Sequence, residues 1–371
     1  MPRTGSNIYK RKDGRWEGRY PKDRNNSGKI IYGYVYAKSY TEVKKKLVTI
    51  SHESPKSALP TGSVSEMANQ WLSMIELKVK PSTLASYDTL IKIHILPELG
   101  SIELKKLTTT SINEFAQAKL QYGRKDKDGG LSPKTVRDIL SILKGIIDFA
   151  FNEKHVEKPI VITYPKQSQK TIRVLSHMEQ SALKQVLLKD ITIYKAGILL
   201  CLYTGLRIGE VCGLRWSDFS PSFNKLSVRR TIQRIKDKSE DGKTKIIIDS
   251  PKSKSSIRDI PIPKFMSPIL KSFICDGDKY FLSTSESKLT EPRTMQNHFK
   301  RAVKEAKISN VNFHCLRHVF ASCCIEANVD IKSLSSMLGH SSVNISLNRY
   351  VHSSFELKQK GMNKLEQYLG L

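Results

Sequence analysis

The chain has 371 residues, more than one compact core usually fills, and its 39% hydrophobic content favours folded domains over general disorder. Its 62 Lys and Arg against 35 Asp and Glu leave a net charge of +27, which indicates a polyanionic partner, nucleic acid before a membrane surface. No apolar run reaches the roughly 18 residues of a membrane span, and the first residues lack a secretory signal's apolar stretch, so we expect an intracellular protein.

Residues 1–55 predict a small sheet with one helix. Two strand-like segments flank Asp13-Gly14, a two-residue hairpin loop, and a third segment alternates tyrosines with aliphatic residues. Ser39 and Glu42 have capping-box spacing and begin a short helix. The segment holds 13 Lys and Arg but only 5 Asp and Glu, which suits contact with DNA, although a solvated basic face would have the same composition.

A Ser- and Pro-rich stretch ends in a predicted linker at residues 56–62, and residues 63–165 predict a helical bundle. Ser63, in a capping box, Pro81 and Ser132 begin three amphipathic helices. A polar, basic stretch after them predicts a second linker. Our candidate DNA contacts in the sheet and the bundle are Arg15, Arg19, Lys29, Tyr34, Lys80 and Lys134.

Residues 166–371 predict a mainly helical domain with a β-rich insert at residues 225–262. In the apolar run "AGILLCLYTGLRIGEVCGLRW", Arg207 and Glu210 interrupt the pattern, and a Thr-Gly pair breaks the helix just before Arg207. The break would direct the arginine to a surface. Taken alone, this spacing favours an ordinary buried Arg–Glu pair.

Two histidines lie close together in "FHCLRH". His314 and Arg317 are three residues apart, so they share one helical face. His314 and His318 are four apart and could bind zinc, but no third ligand follows at a suitable spacing. The six cysteines form no CxxC pair, which indicates buried thiols rather than a zinc module or a disulfide framework.

Two further segments carry candidates. "MLGHSSVNISLNRYVH" places His340 ten residues before Tyr350. Lys252 lies in a turn between two predicted strands, with Lys245 and Lys254 as alternatives nearby.

In the order Arg, Lys, His-x-x-Arg, Gly-His and Tyr, these residues resemble the catalytic signature of the tyrosine recombinases, the phage integrase family. "TGLRIGE", "HCLRH", "LGHSS" and "RYVH" are similar to that family's boxes. "KPSTLASYDTLIKIHILPELG" resembles its core-binding domain, and residues 1–55 resemble the arm-binding sheet of phage and conjugative-transposon integrases. The resemblance implies a multidomain, mainly α fold with small β elements: a three-stranded sheet plus helix, a core-binding helical bundle, and a mixed α/β catalytic domain with a C-terminal tail.

The catalytic residues that the resemblance implies are Tyr350, Arg207, Lys252, His314, Arg317, His340 and Glu210. The chemistry agrees with these residue types. Two guanidiniums can clamp the non-bridging oxygens of a phosphodiester and neutralise the charge that grows in the transition state. A free tyrosine, with a pKa of about 10, is only ~0.1% ionised at neutral pH, so the nucleophile needs a base or a cationic pocket.

The resemblance further implies a DNA recombinase that needs no metal or nucleotide cofactor. It would integrate and excise a prophage or a conjugative transposon through a 3′-phosphotyrosine and a Holliday junction, in the bacterial cytoplasm and associated with the nucleoid. Its expected partners are double-stranded DNA attachment sites, three further copies of the chain, and an excisionase or host DNA-bending factor. Two alternatives are a type IB topoisomerase, which shares the tyrosine chemistry, and a DNA-bridging protein with a dead site.

Overall fold

The computed structural model describes residues 8–370 except 12, 25–29, 54–61, 125–127, 157, 168–172, 238–242, 251–253, 275–278, 284–288, 345–346 and 348–354. It divides the chain into two compact units. The first comprises Met1–Lys78 and Tyr87–Lys166, and the second comprises Val79–Ser86 and Gln167–Leu371. The domain boundaries at 55, 62 and 165 stay predictions.

The N-terminal part of the first unit is an antiparallel sheet covered by one helix. Its elements are β1 (Ile8–Lys10), β2 (Trp16–Arg24), β3 (Ile30–Ala37) and α1 (Tyr40–Glu53), with strand order β1-β2-β3. Gly14 takes a φ of +82° in the β1–β2 turn, which explains the Asp-Gly pair. The hydroxyl of Ser39 accepts the amide of Glu42 at the start of α1, 3.2 Å away. This helix runs to Glu53, so it enters the Ser- and Pro-rich stretch.

The rest of the first unit is the helical bundle. Its region contains α2 (Val64–Glu76), α3 (Pro81–Leu90), a π-helical turn (Ile91–Ile95), α4 (Leu96–Leu99), α5 (Thr109–Tyr122) and α6 (Pro133–Asn152). The hydroxyls of Ser63 and Ser132 cap α2 and α6 as predicted. These two helices pack together through apolar faces at helical spacing, with Met67 and Ile139 fully buried.

The second unit is mainly helical, with four short strands among its described residues. Its main elements, besides the start of α3, are α7 (His177–Leu188), α8 (Ile193–Thr204), α9 (Ile208–Gly213), β4 (Lys225–Val228), β5 (Thr231–Lys236), β6 (Thr244–Asp249), β7 (Arg258–Pro261), α10 (Met266–Lys271), α11 (Pro292–Glu305), α12 (Cys315–Glu326), α13 (Ile331–Leu338) and α14 (Phe355–Leu369). Strands β4 and β7 pair antiparallel, as do β5 and β6. The predicted fold class is confirmed.

Helix α8 is the centre of this unit. It is apolar on nearly every side, most of its residues are buried, and α7, α9, α10, α11 and α12 all pack against it. It ends at Thr204 because Gly205 adopts a left-handed conformation, with a φ of +66°. The chain therefore leaves the core within two residues, as the Thr-Gly pair predicts, and Arg207 stands at the start of α9.

Candidate active site

Arg207 and Glu210 form a pair at the start of α9. The main-chain amide of Arg207 donates to Oε2 of Glu210 (2.9 Å), and its Nη1 donates to Oε1 (2.7 Å). The side chain of Arg207 is 37% exposed, whereas that of Glu210 is 3% exposed. The two residues do form an Arg–Glu pair with a buried carboxylate, and the arginine of that pair also reaches solvent. Both interpretations of the spacing therefore hold in part.

Arg317 is almost entirely buried, with 2% of its surface exposed. It lies in the first turn of α12 and its guanidinium donates to two main-chain carbonyls, Gly205 (2.9 Å) and Leu338 (2.6 Å). Arg207 donates to the next carbonyl along the chain, that of Gly339 (3.4 Å). Two arginines that are distant in sequence therefore converge on consecutive carbonyls at the end of α13.

The same helix end positions His340. Gly339 caps α13 in a left-handed conformation (φ +64°), and the amide of His340 donates to the carbonyl of Ser335 (3.1 Å). His340 is half-buried and lines a concavity of about 610 Å³ together with Arg258, Lys332 and several serines. The Gly-His pair therefore includes one of the carbonyls that bind the two arginines, that of Gly339, and directly follows the other, that of Leu338.

His314 is exposed and directly precedes α12. Its ring lies edge-on to that of His318, with 4.8 Å between centroids, and His318 is buried. Among the residues that the structure describes, no group of three or more His, Cys, Asp or Glu has metal-binding geometry. His314 thus lies just before the helix that carries Arg317, and it is exposed whereas Arg317 is buried.

Arg258 is a member of this cluster that the sequence analysis missed. Its side chain is 4% exposed, and its Nη1 and Nη2 donate to Oε1 (3.2 Å) and Oε2 (2.9 Å) of Glu210. A signal was present in "SSIRDIPI", because β7 alternates exposed and buried residues and Arg258 occupies an inward position in line with Ile260. A charge at an inward strand position needs a buried partner.

The ionisation of Glu210 follows from its two arginine partners. Burial alone would raise the pKa of this carboxyl, but the charges and hydrogen bonds of Arg258 and Arg207 outweigh burial and hold the pKa below its ordinary value. Glu210 is therefore a carboxylate at neutral pH. It can orient a guanidinium but has no proton to donate.

Three candidates lie outside the described residues. Lys252 falls in the connection between β6 and β7, Tyr350 falls between α13 and α14, and Lys29 falls between β2 and β3. Their predicted roles stay predictions.

Three of the candidate DNA contacts lie in the N-terminal sheet. Arg15 pairs with Asp13 (2.8 Å), and Arg19 stacks on the ring of Tyr32, 4.1 Å from its centroid. Tyr34 is directly opposite Arg19 in the β2–β3 ladder and is 49% exposed, so the two share the face of the sheet. Their contact with DNA stays a prediction.

The other two are lysines with acidic neighbours. Lys80 donates to the carboxylate of Asp249 (2.9 Å) and to the carbonyl of Ser250 (2.7 Å). Lys134 pairs with Asp138 one helical turn away (2.8 Å), at an exposed position of α6. Neither interaction tests DNA binding.

Comparison with known proteins gives a family for most of the chain. The profile described as "Phage integrase family" matches residues 173–356, and the one described as "Phage integrase, N-terminal SAM-like domain" matches residues 63–120. A "Tyrosine recombinase XerC-like" protein of Caldanaerobacter subterraneus subsp. tengcongensis is 27% identical, over 89% of this chain and 90% of that protein.

No helix among the described residues is long and apolar enough to cross a bilayer.

Two solved structures share the fold. A fragment of the Tn1549 transposon integrase, in complex with a circular intermediate DNA, aligns with a TM-score of 0.66 and 24% identity, covering 82% of this chain and 99% of that one. Lambda integrase, solved as a tetramer bound to a Holliday junction, aligns with a TM-score of 0.56 and 18% identity, covering 93% and 94% of the two chains.

Proposed function

Because the chain belongs to the phage integrase family of tyrosine recombinases, we propose that it integrates and excises a mobile genetic element, a prophage or a conjugative transposon. Residues 173–356 are a tyrosine-recombinase catalytic domain, and the family carries out site-specific DNA recombination. The Tn1549 structure supports the choice of a mobile element, since a transposon integrase with this fold binds a circular intermediate DNA.

One observation carries the proposal, the convergence of Arg207 and Arg317 on the carbonyls of Leu338 and Gly339. A phosphodiester resists nucleophiles because its charged oxygens repel them. Guanidiniums fixed side by side can bind both non-bridging oxygens and neutralise the charge that develops in the transition state. Arg207 is the exposed arginine of the pair and Arg317 the rigidly held one.

The remaining candidates complete a transesterification. The phenolic oxygen of Tyr350 attacks phosphorus and gives its proton to His314, while the 5′-oxygen leaves and takes a proton from Lys252. His340 hydrogen-bonds the phosphate, and Glu210 orients Arg207. The 3′-phosphotyrosine keeps the energy of the broken bond, so the 5′-hydroxyl of a partner strand can reverse the step without a cofactor.

We propose that four copies act on paired double-stranded sites through a Holliday junction. Lambda integrase, of the same fold, is a tetramer on such a junction. Helix α14 supports assembly, because it exposes Met362, Leu365 and Leu369 along one apolar stripe, and we propose that this tail packs on a neighbouring copy. An excisionase or a DNA-bending protein would set the direction.

The mobile element can be tested from its DNA. Sequencing the DNA that flanks the gene should reveal terminal repeats and neighbouring mobility genes. We call a DNA duplex that carries one of these terminal sequences the boundary duplex. It is nicked so that the cleaved product is trapped. A gene without such flanks, or a protein that relaxes supercoiled plasmids without site preference, would contradict the proposed role.

The nucleophile is tested by Tyr350→Phe, which keeps the ring and removes the attacking oxygen. We expect binding to the boundary duplex within a few fold of wild type and no covalent protein–DNA complex on a denaturing gel. Tyr368→Phe is the matched control, because Tyr368 is a tail tyrosine that is 88% exposed, and it should give the wild-type yield. A covalent band from Tyr350→Phe would place the nucleophile elsewhere.

A further inference from the structure

The guanidinium of Arg258 joins three segments of the catalytic unit. In addition to Glu210 on α9, it donates from Nη1 to the carbonyl of Ser256 (2.9 Å), on the connection that carries Lys252. Its Nε donates to the carbonyl of Met337 (2.6 Å), at the end of α13. Three of the segments that hold candidate catalytic residues are therefore bonded to one buried cation.

Glu210 is shared between Arg258 and Arg207. Each of its carboxylate oxygens accepts one hydrogen bond from each arginine: both bonds from Arg258 come from its guanidinium, whereas Arg207 donates one from its guanidinium and one from its main-chain amide. A single negative charge is therefore bonded to two positive ones. An isolated Arg207–Glu210 pair would be neutral and would attract a phosphate weakly. With Arg258 the group keeps one net positive charge, and of the two arginines only Arg207 reaches solvent.

Arg258 also packs against the segment that holds His340. A Cβ placed on Gly339 would lie 3.1 Å from Cδ and from Nη1 of Arg258, so the backbone of Gly339 lies close enough to the arginine that a side chain there would press on it. The side chain of Arg258 therefore limits where Gly339 and His340 can lie.

We infer that Arg258 is a positioning residue for strand cleavage, which balances the charge of Glu210 so that the group around Arg207 keeps a net positive charge and which sets the position of the Gly339–His340 segment. The inference rests on the proposed function, because its consequence is a faster attack on a phosphodiester. Arg258 itself does not touch the DNA. The rival explanation is that Arg258 only stabilises the fold.

Two substitutions at Arg258 test the inference in the full-length protein with the boundary duplex. Arg258→Met removes the charge and Arg258→Lys removes the bidentate fork. We expect single-turnover cleavage at saturating protein to fall about 100-fold and about 10-fold, by analogy with the range for groups that orient the ligands of a metal site. Binding of the duplex should change little, because the replaced side chain is buried and the exposed basic residues are unchanged.

Arg230→Lys is the matched control. Arg230 also donates to a buried carboxylate, that of Asp218 (2.7 Å), and to a main-chain carbonyl, that of Gly213 (3.4 Å). It bonds none of the candidate catalytic residues in these contacts, so its substitution should cost stability but leave cleavage by the folded protein within about twofold. If the Arg258→Lys protein is unfolded while the Arg230→Lys protein is folded, Arg258 contributes to stability alone and the inference is overturned.

A second substitution separates charge balance from stability. In Arg258→Met the carboxylate of Glu210 neutralises Arg207, so adding Glu210→Gln should return the charge and speed cleavage about 10-fold relative to Arg258→Met. A double variant no faster than Arg258→Met, or wild-type cleavage by Arg258→Lys and Arg258→Met, would overturn the inference. If wild type itself forms no Tyr350-dependent covalent product, the proposed function fails instead.

Discussion

At the scale of single residues, the exposure of a side chain separates the roles in the Arg–Glu–Arg group. Arg207 and Arg258 bond the same carboxylate, yet one side chain is 37% exposed and the other 4%. A buried arginine bonded to a carboxylate and two carbonyls has its charge largely satisfied inside the protein. The exposed arginine keeps part of its bonding capacity toward solvent, and so toward DNA.

The pH dependence of stability should reveal Glu210. Its pKa in the folded protein is lowered, since its arginine partners outweigh burial, from an ordinary value of 4.5. A depressed pKa gives a stabilising contribution that is complete above pH 4.5 and is lost as the pH falls through the folded-state pKa. The free-energy difference between wild type and Glu210→Gln, measured by urea unfolding, should therefore be constant above that pH and shrink below it. A difference that grows on acidification would contradict the ion-pair assignment.

At the scale of helices, the ends of α8 and α13 build the site. Each helix ends in a left-handed glycine, Gly205 or Gly339, and the carbonyls at these two ends accept hydrogen bonds from Arg207 and Arg317. Carbonyls at a helix C-terminus lack intrahelical partners and carry partial negative charge, so a cation is favoured there. The two helix ends therefore supply main-chain acceptors to both arginines.

Gly205→Ala should disturb both the fold and the chemistry. Gly205 has a φ of +66°, and an added Cβ would lie 2.6 Å from Phe320 and 2.8 Å from Leu338. Backbone strain and overpacking together should cost about 2–4 kcal/mol. Cleavage of the boundary duplex should fall as well, because the carbonyl of Gly205 holds Arg317.

Gly62→Ala is the control for strain without a clash. Gly62 has a φ of +79° and no atom within 4 Å of an added Cβ, so about 1 kcal/mol is expected. Hydrogen exchange in urea reports the two units separately and gives both costs. Equal costs at the two glycines would show that Phe320 and Leu338 yield without penalty.

Local rules predicted much of this architecture, and long-range contacts account for what they missed. Caps at Ser63 and Ser132, and the break at Gly205, depend on neighbours within a few residues and are all present. The partner of Glu210 could not be read in the same way. Arg258 is far along the chain, and which arginine reaches a buried carboxylate is decided by how β7 and α9 pack. The carbonyls that accept hydrogen bonds from Arg317 could not be predicted from the sequence either, because every residue has a main-chain carbonyl.

At the scale of the whole molecule, the net charge is +27, but some of the basic side chains are paired with acidic ones. Arg11 and Arg15, in the turn between β1 and β2 of the N-terminal sheet, are bonded to Glu17 and Asp13, so part of the basic charge near that sheet is locally balanced. Exposed ion pairs of this kind are weak and exchange partners readily. We therefore expect phosphates to compete for these arginines at low salt.

Removing residues 1–55 should leave cleavage of a boundary duplex intact if the sheet binds a second, distant DNA site. Each phosphate that the truncated protein no longer neutralises should reduce the salt slope of log affinity by about 0.9, so the binding of distal sites should collapse and the slope should flatten. A full-length Arg15→Gln, Arg19→Gln protein controls for the truncation and should show the smaller change in slope. Loss of cleavage in a folded truncated protein would make the sheet part of the catalytic clamp.

The main-chain acceptors at Gly205, Leu338 and Gly339 also bear on how this protein can change over evolution. A carbonyl cannot be removed by replacing a side chain, so these hydrogen bonds to the arginines survive many substitutions nearby. A one-residue insertion or deletion within α8 or α13 is different, because it rotates the helix end by about 100° and shifts it by about 1.5 Å. Selection must therefore preserve the lengths of these two helices as well as the glycines that end them, and divergence in chain length should accumulate in the connections between elements.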